Sequence, residues 1–329
     1  MPGHATGDYP EPSLDTYPSL LIAAHNYYQA MQDDAWVERH IDKLIEWANL
    51  SLDTDSNGNG LIEYHQSGNL NDCRFRPANW WDCVNFGHED AYSNALAYRA
   101  FGGLARLAKV ADRQEDARRF QAAADKLKGS YYSTFYNPDT QMLAGWKSRD
   151  GMLHDYGFTF VQGLAITYGV VDDPQKCNQL MDAMLKKMAD VGYDRFDLGL
   201  PGNLEVIPSQ DYYDSSASRW GGEGAFGVYE NGGASANHVY YTLAALYHLG
   251  RKDQADRILF PILKSFNEGA FQGTSSNGAM TNDWRAWDGT PWGYEGFLCD
   301  NYLTVKAVLV RNGQVDPLWG TWRSERKPR

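Results

Sequence analysis

Apolar residues recur at spacings of three and four along most of the chain. The stripes they draw predict nine helices, near 16–32, 34–52, 88–111, 114–134, 157–170, 173–190, 234–250, 252–267 and 294–311. The ends carry matching signals. Asp33-Asp34 opens the second helix and Asp112 separates the third from the fourth. Asp172-Asp173-Pro174 starts the sixth with proline in its first turn, and Gly250 closes the seventh. Between 135 and 155, Asn137-Pro138-Asp139 and Asp150-Gly151 predict a small hairpin or two turns. Few other segments read as strand.

The connections alternate in length. Those at 32–34, 111–114, 170–173 and 250–252 are short, which makes their helices antiparallel neighbours. Those at 53–87, 135–156, 191–233 and 268–293 are long. Each pair returns the chain to its starting side, so all the long loops gather at one end. That is the pattern of an all-α (α/α)6 toroid whose site lies at the loop-rich mouth. No low-complexity linker divides residues 1–329, so the chain reads as one domain.

Composition narrows the partners. A net charge of −12 repels phosphate backbones and anionic lipid, which argues against nucleic acid and membrane surfaces. No apolar run is long enough to span a bilayer, and the N-terminus lacks a signal pattern. The chain as written is expected to be cytoplasmic, or periplasmic or secreted if a leader precedes it. Cys73, Cys83, Cys177 and Cys299 show no zinc spacing and read as reduced thiols. Aromatic residues reach 14%. Trp80, Trp81, Trp146, Trp220, Trp284, Trp287 and Trp292 all fall in predicted loops, where flat apolar faces suit a sugar ring.

The long loops carry the chemistry. The first begins Asp53-Thr-Asp55-Ser-Asn57-Gly-Asn-Gly-Leu-Ile-Glu63, with oxygen ligands at alternate positions as in a calcium loop. Gly60 stands where a hydrophobe is expected and Glu63 comes one residue early, so an Asx-rich turn is the competing expectation. No other cofactor is called for. The same loop continues Asn79-Trp80-Trp81-Asp82. A carboxyl between tryptophans is desolvated, which raises its pKa toward that of a general acid; alternatively Asp82 caps the next helix or pairs with Arg74 or Arg76. His88-Glu89-Asp90 opens that helix and reads as structural. The third loop holds Trp220 and Tyr229-Glu230-Asn231-Gly-Gly, where Asn231 either meets ligand or caps the following helix. The fourth packs Asp283, Trp284, Arg285, Trp287, Asp288, Trp292, Tyr294 and Glu295 into a short span. Stacking faces, a bidentate clamp and carboxylates are what a sugar site needs. No GxSxG nucleophile elbow, phosphate loop or dinucleotide fingerprint appears.

On Asn79-Trp80-Trp81-Asp82 and Tyr229-Glu230-Asn231-Gly232-Gly233 the chain resembles the six-hairpin glycosidase superfamily, most nearly its cellobiose phosphorylase group. That group carries D-W-N-D, its last Asp the general acid, and Y-Q-N-G-G at the reaction centre. The resemblance implies an (α/α)6 toroid and the acid role for Asp82. Asn79, Trp81 and Glu230 depart from the group's residues. In inverting members the acid follows helix five and the base lies near helix twelve. Seven predicted helices follow Asp82, so the 268–293 loop falls at the base, with Glu295 and Asp283 first and Glu230 beside them. Only two helices precede Asp82 where five are expected, so the chain reads as the C-terminal part of a longer enzyme.

The expectation is therefore a glycoside hydrolase acting on an oligosaccharide or glycoside by single displacement with inversion. A disaccharide phosphorylase would instead need phosphate and a basic pocket around Arg285. An epimerase or lyase would use a base such as His154 or His238. A carbohydrate-binding remnant would bind without turnover.

Overall fold

The computed structural model describes residues 12–65, 78–81, 84–211, 226–271, 282–295 and 298–320, with the backbone alone at 282–283, 292–295 and 298–301. Among these, nine α-helices form: α1 (Thr16–Met31), α2 (Asp34–Leu52), α3 (Ala91–Val110), α4 (Gln114–Phe135), α5 (Thr159–Thr167), α6 (Pro174–Asp190), α7 (Val239–His248), α8 (Lys252–Asn267) and α9 (Leu298–Arg311). The expected caps operate. Asp33 accepts a hydrogen bond from the Trp36 N–H at 2.9 Å, and Asp173 accepts from the N–H groups of Gln175 and Lys176 ahead of Pro174. Asp90 accepts from Tyr92 N–H at 2.8 Å, which moves the start of α3 past His88 and Glu89.

The helices lie in two layers. Packing runs α1–α3–α5–α7–α9 along an inner arc, with α2, α4, α6 and α8 on the outside. Burial follows the layers. α5 is buried along its whole length and α3 along most of it, whereas α4 buries one stripe, Ala117, Phe120, Ala124, Leu127, Tyr131 and Phe135. α5 and α7 approach so closely that a Cβ on Gly163 would stand 2.5 Å from the Tyr241 carbonyl carbon. The fold is the all-α toroid that the pairing of helices predicts. No helix among the described residues is long and apolar enough to cross a membrane.

The described parts of the long connections hold short strands. They contain β1 (Glu89–Asp90), β2 (Tyr136–Asn137), β3 (Met142–Leu143), β4 (Trp146–Lys147), β5 (Leu153–His154), β6 (Leu200–Pro201), β7 (Ala234–Ser235), β8 (Asn282–Arg285) and β9 (Pro291–Glu295). These pair antiparallel as β1-β4-β5, β2-β3 and β6-β7-β8-β9. Two expected helix starts are corrected here. Residues 234–235 pair with Leu200–Pro201 instead of opening α7, and Tyr294 and Glu295 lie on β9 instead of opening α9. Ladder bonds to segments distant in sequence outweigh the local helical pattern.

Candidate active site

Aromatic rings bring the four long connections together. Trp80 and Trp81, from the first, meet His238 at centroid distances of 5.9 and 6.0 Å and Trp284 at 6.5 and 5.9 Å. His238 ends the third connection and Trp284 begins the β8–β9 hairpin of the fourth. Phe86 carries the contact on to Trp146 of the second, at 4.9 Å. Phe158 and Phe160, before and within α5, fill the centre beneath Trp81. Trp81 is 0% exposed. Its ring is therefore part of the floor and offers no free face to a sugar, contrary to the platform expected of it. Trp80 is half-buried. Gly202 makes room for the floor, since a Cβ there would lie 2.7 Å from the Trp81 ring.

Two buried carboxyls that sequence reasoning did not single out as site residues hold the Asn79–Trp81 segment from below. Asp15 accepts from the Trp80 N–H at 3.0 Å, and the neighbouring Leu14 N–H donates to the Ala78 carbonyl at 2.7 Å. Asp90 accepts from the Asn79 amide at 2.9 Å and from the Ser93 hydroxyl. Asn79 in turn accepts from the Trp81 N–H at 2.9 Å. Burial pushes the Asp15 carboxyl up to about 7, with Asp90 acting in the same sense. Burial raises Asp90 to about 6 against the opposing pull of Ser93 and Asn79. The link between Asp15 and Trp80 spans 65 positions, so no local signal announces it.

Residues 226–233 of the third connection form a tight turn. Tyr229 has φ of +47° and Gly232 of +88°, and a Cβ on Gly233 would stand 2.3 Å from the Tyr229 carbonyl oxygen. Glu230 is 2% exposed within it. Asn231 neither caps a helix nor faces open space. Its side-chain oxygen accepts from the Ile207 N–H at 2.9 Å, tying the turn to residues 203–207. His238 stands buried among the rings, and burial lowers its pKa to about 4, so it is neutral at physiological pH.

In the fourth connection, Arg285 is buried with its guanidinium 5.3 Å from the Phe271 ring. Trp287 donates its indole N–H to the Gly232 carbonyl and packs on Tyr193 at 5.0 Å, which joins the third and fourth connections. Asp288 is exposed and accepts from the Thr290 N–H at 2.8 Å across the hairpin tip. The backbone places Trp292 opposite Trp284 and Glu295 opposite Asn282, with a register irregularity at Asp283; Tyr294 lies between them on β9. Asp82 and Trp220 lie outside the described residues.

The calcium-like loop does not assemble its expected ligands. Asp55 accepts from the Gly60 N–H at 2.9 Å and pairs with Lys126 at 3.1 Å. The Asn57 side-chain oxygen accepts from the Asn59 N–H at 2.9 Å, an Asx turn, while its amide donates to Glu89. Asp53 is the C-cap residue of α2, and Glu63 takes the Ser56 hydroxyl. His154, the base considered for an epimerase or lyase, has both ring nitrogens engaged, by Asp211 at 2.8 Å and Ser148 at 2.9 Å. Its ring lies flat on Trp146 at 4.5 Å.

Residues 6–203 match the family described as the bacterial alpha-L-rhamnosidase six-hairpin glycosidase domain, and the chain belongs to that family. Among solved structures it is similar to a GH78-family rhamnosidase of Bacillus sp. GL1, with 13% identity and a TM-score of 0.57, over 93% of this chain and 27% of that one. A rhamnosidase from Klebsiella oxytoca with rhamnose bound matches at 12% identity and a TM-score of 0.57, over 92% of this chain and 47% of that one. A GH63 mannosylglycerate hydrolase from Thermus thermophilus matches at 14% identity and a TM-score of 0.62, over 92% of this chain and 81% of that one. The chain thus spans about a quarter and about half of the two rhamnosidase chains. No protein with a curated description matches it.

Proposed function

We propose that this chain is the catalytic toroid of a glycoside hydrolase that removes a terminal deoxyhexose of the rhamnose type from a glycoside. Family membership supports the reaction class, and the rhamnose-bound neighbour supports the sugar class. The observation that carries the reading is the convergence of all four long connections on one aromatic floor, with Trp80 and Trp81 immediately before Asp82. A 6-deoxy sugar presents a methyl group and an apolar ring face, which the partly exposed Trp80 ring above this floor suits.

In this mechanism Asp82 protonates the leaving oxygen. Glu295 or Asp283, from the neighbouring strands β9 and β8, activates water on the opposite face; Glu230 is the alternative base. A separation of about 6.5–9.5 Å between acid and base carboxyls gives inversion. Asp15 and Asp90 position the Asn79–Trp81 segment through backbone and amide hydrogen bonds and take no part in bond cleavage.

The test is a panel of aryl glycosides, with and without phosphate, followed by NMR of the first-formed product. Phosphate-independent release of the inverted free sugar, fastest from the α-L-rhamnoside, is the expected result. A sugar phosphate formed only with added phosphate would instead establish a phosphorylase.

A further inference from the structure

The first connection folds so that two glutamates face each other. Glu63 and Glu89 form an isolated antiparallel bridge, reinforced by the Tyr64 N–H donating to the His88 carbonyl at 2.8 Å. Directly opposed residues on adjacent strands have Cβ atoms about 4.5–5.5 Å apart, and like charges there are destabilising. Both side chains are buried: the Glu63 side chain is 0% exposed and Glu89 3%. Their hydrogen-bond donors among the described residues are neutral. Ser56 hydroxyl and the Asn57 N–H serve Glu63, and the amides of Asn57 and Asn59 serve Glu89 at 3.0 and 2.6 Å. Of the described cations near this loop, Lys126 is paired with Asp55, and Arg149 donates to the His65 carbonyl and lies close enough to His88 to act on it electrostatically. Two adjacent buried carboxylates served by neutral donors carry a large desolvation cost unless a cation joins them.

A third group completes the set. His88 has its Nε2 3.8 Å from Glu63 Oε2, while its Nδ1 is buried without a hydrogen-bond partner. A neutral imidazole in this place has a lone pair to give to a metal ion. One ligand atom from each of Glu63, His88 and Glu89 lies within 4.8 Å of the others. Tetrahedral zinc with bonds of about 2.0–2.2 Å holds its ligands roughly 3.5 Å apart, so an inward movement of about an ångström suffices. Calcium wants six to eight oxygens, whereas an imidazole with two carboxylates suits a first-row transition ion with a fourth position left to water.

We propose that Glu63, His88 and Glu89 bind one divalent transition ion of the zinc type, which clamps the two ends of the segment carrying Asn79, Trp80, Trp81 and Asp82. The set shares only Glu63 with the calcium-like pattern readable in the sequence. The inference is independent of which glycoside the mouth accepts, because its readout is metal binding and stability.

The experiment uses the full chain, stripped with EDTA and dialysed, titrated with ZnCl2 by calorimetry and followed by thermal unfolding. One equivalent should bind, and zinc at a hundredfold excess over Kd should raise Tm by about 4 °C. His88→Ala and Glu89→Gln should each weaken binding at least about tenfold, whereas Asp55→Asn should leave affinity unchanged. If Glu89→Gln does not fold, His88→Ala and the wild-type titration decide. Absence of saturable binding by the wild type would overturn the proposal. So would equal affinity in His88→Ala, or loss of binding in Asp55→Asn.

Discussion

Replacing Asp15 by asparagine isolates what a buried carboxyl does beneath the mouth. Asparagine keeps an oxygen to accept from the Trp80 N–H, so the geometry is preserved while the proton is removed from the balance. Asp15 has its folded pKa raised to about 7, against about 3.9 in an unfolded chain. The folded state therefore holds the proton more tightly. This favours folding fully below the unfolded value, and the advantage is lost as pH rises through about 7. Between pH 5 and pH 8 the loss amounts to about 2.7 kcal/mol, two pH units at about 1.4 kcal/mol each. At roughly 1.5 °C per kcal/mol for a chain of 329 residues, the wild type should lose about 4 °C of Tm over that interval in excess of Asp15→Asn. The assay is thermal unfolding by circular dichroism at pH 5, 6, 7 and 8 in both proteins. Parallel Tm-against-pH curves, differing by no more than about 1 °C over the interval, would refute the assignment of a buried proton to this carboxyl.

Three further outcomes follow from the geometry. Asn79→Asp puts a second carboxylate against Asp90 where an amide now donates at 2.9 Å, so urea unfolding should show a loss of about 1–3 kcal/mol. That loss should be larger at pH 8 than at pH 5, because Asp90 ionises near pH 6. Gly163→Ala drives a Cβ to 2.5 Å from the Tyr241 backbone and should cost about 1–3 kcal/mol by forcing α5 from α7; unchanged stability would mean the helices part freely. Trp81→Ala removes the centre of the floor and should cost about 3–5 kcal/mol in the same unfolding assay, whereas a ring acting only as a sugar platform would change KM and leave stability alone.

The helices were legible because each must bury a stripe, and stripes with a period near 3.6 survive in the sequence. The toroid followed from alternating connection lengths. The sheet over the mouth was not legible. Its strands are two to five residues long, and Pro201, Ala234 and Arg285 come together only across tens of residues. A tryptophan count could not separate floor from platform: Trp81 is enclosed by Phe86, Phe158 and Phe160, which arrive from elsewhere. The same distance effect hides the Lys126–Asp55 pair, in which α4 reaches the calcium-like loop from 71 positions away. The neighbours of Asp82 were readable because the Asn79–Asp82 motif is contiguous, while the supports at Asp15 and Asp90 depend on the fold.

The central claim is that the mouth of this toroid cleaves glycosides with Asp82 as proton donor. Its most direct test compares wild type and Asp82→Asn on an α-L-rhamnoside with a poorly leaving alkyl group, at equal folded concentration. General acid catalysis contributes about 10²–10⁴-fold, so kcat should fall by that factor. An aryl rhamnoside with an acidic phenol leaving group should be affected far less, because it needs no proton. Equal turnover of the alkyl rhamnoside by both proteins would contradict the account.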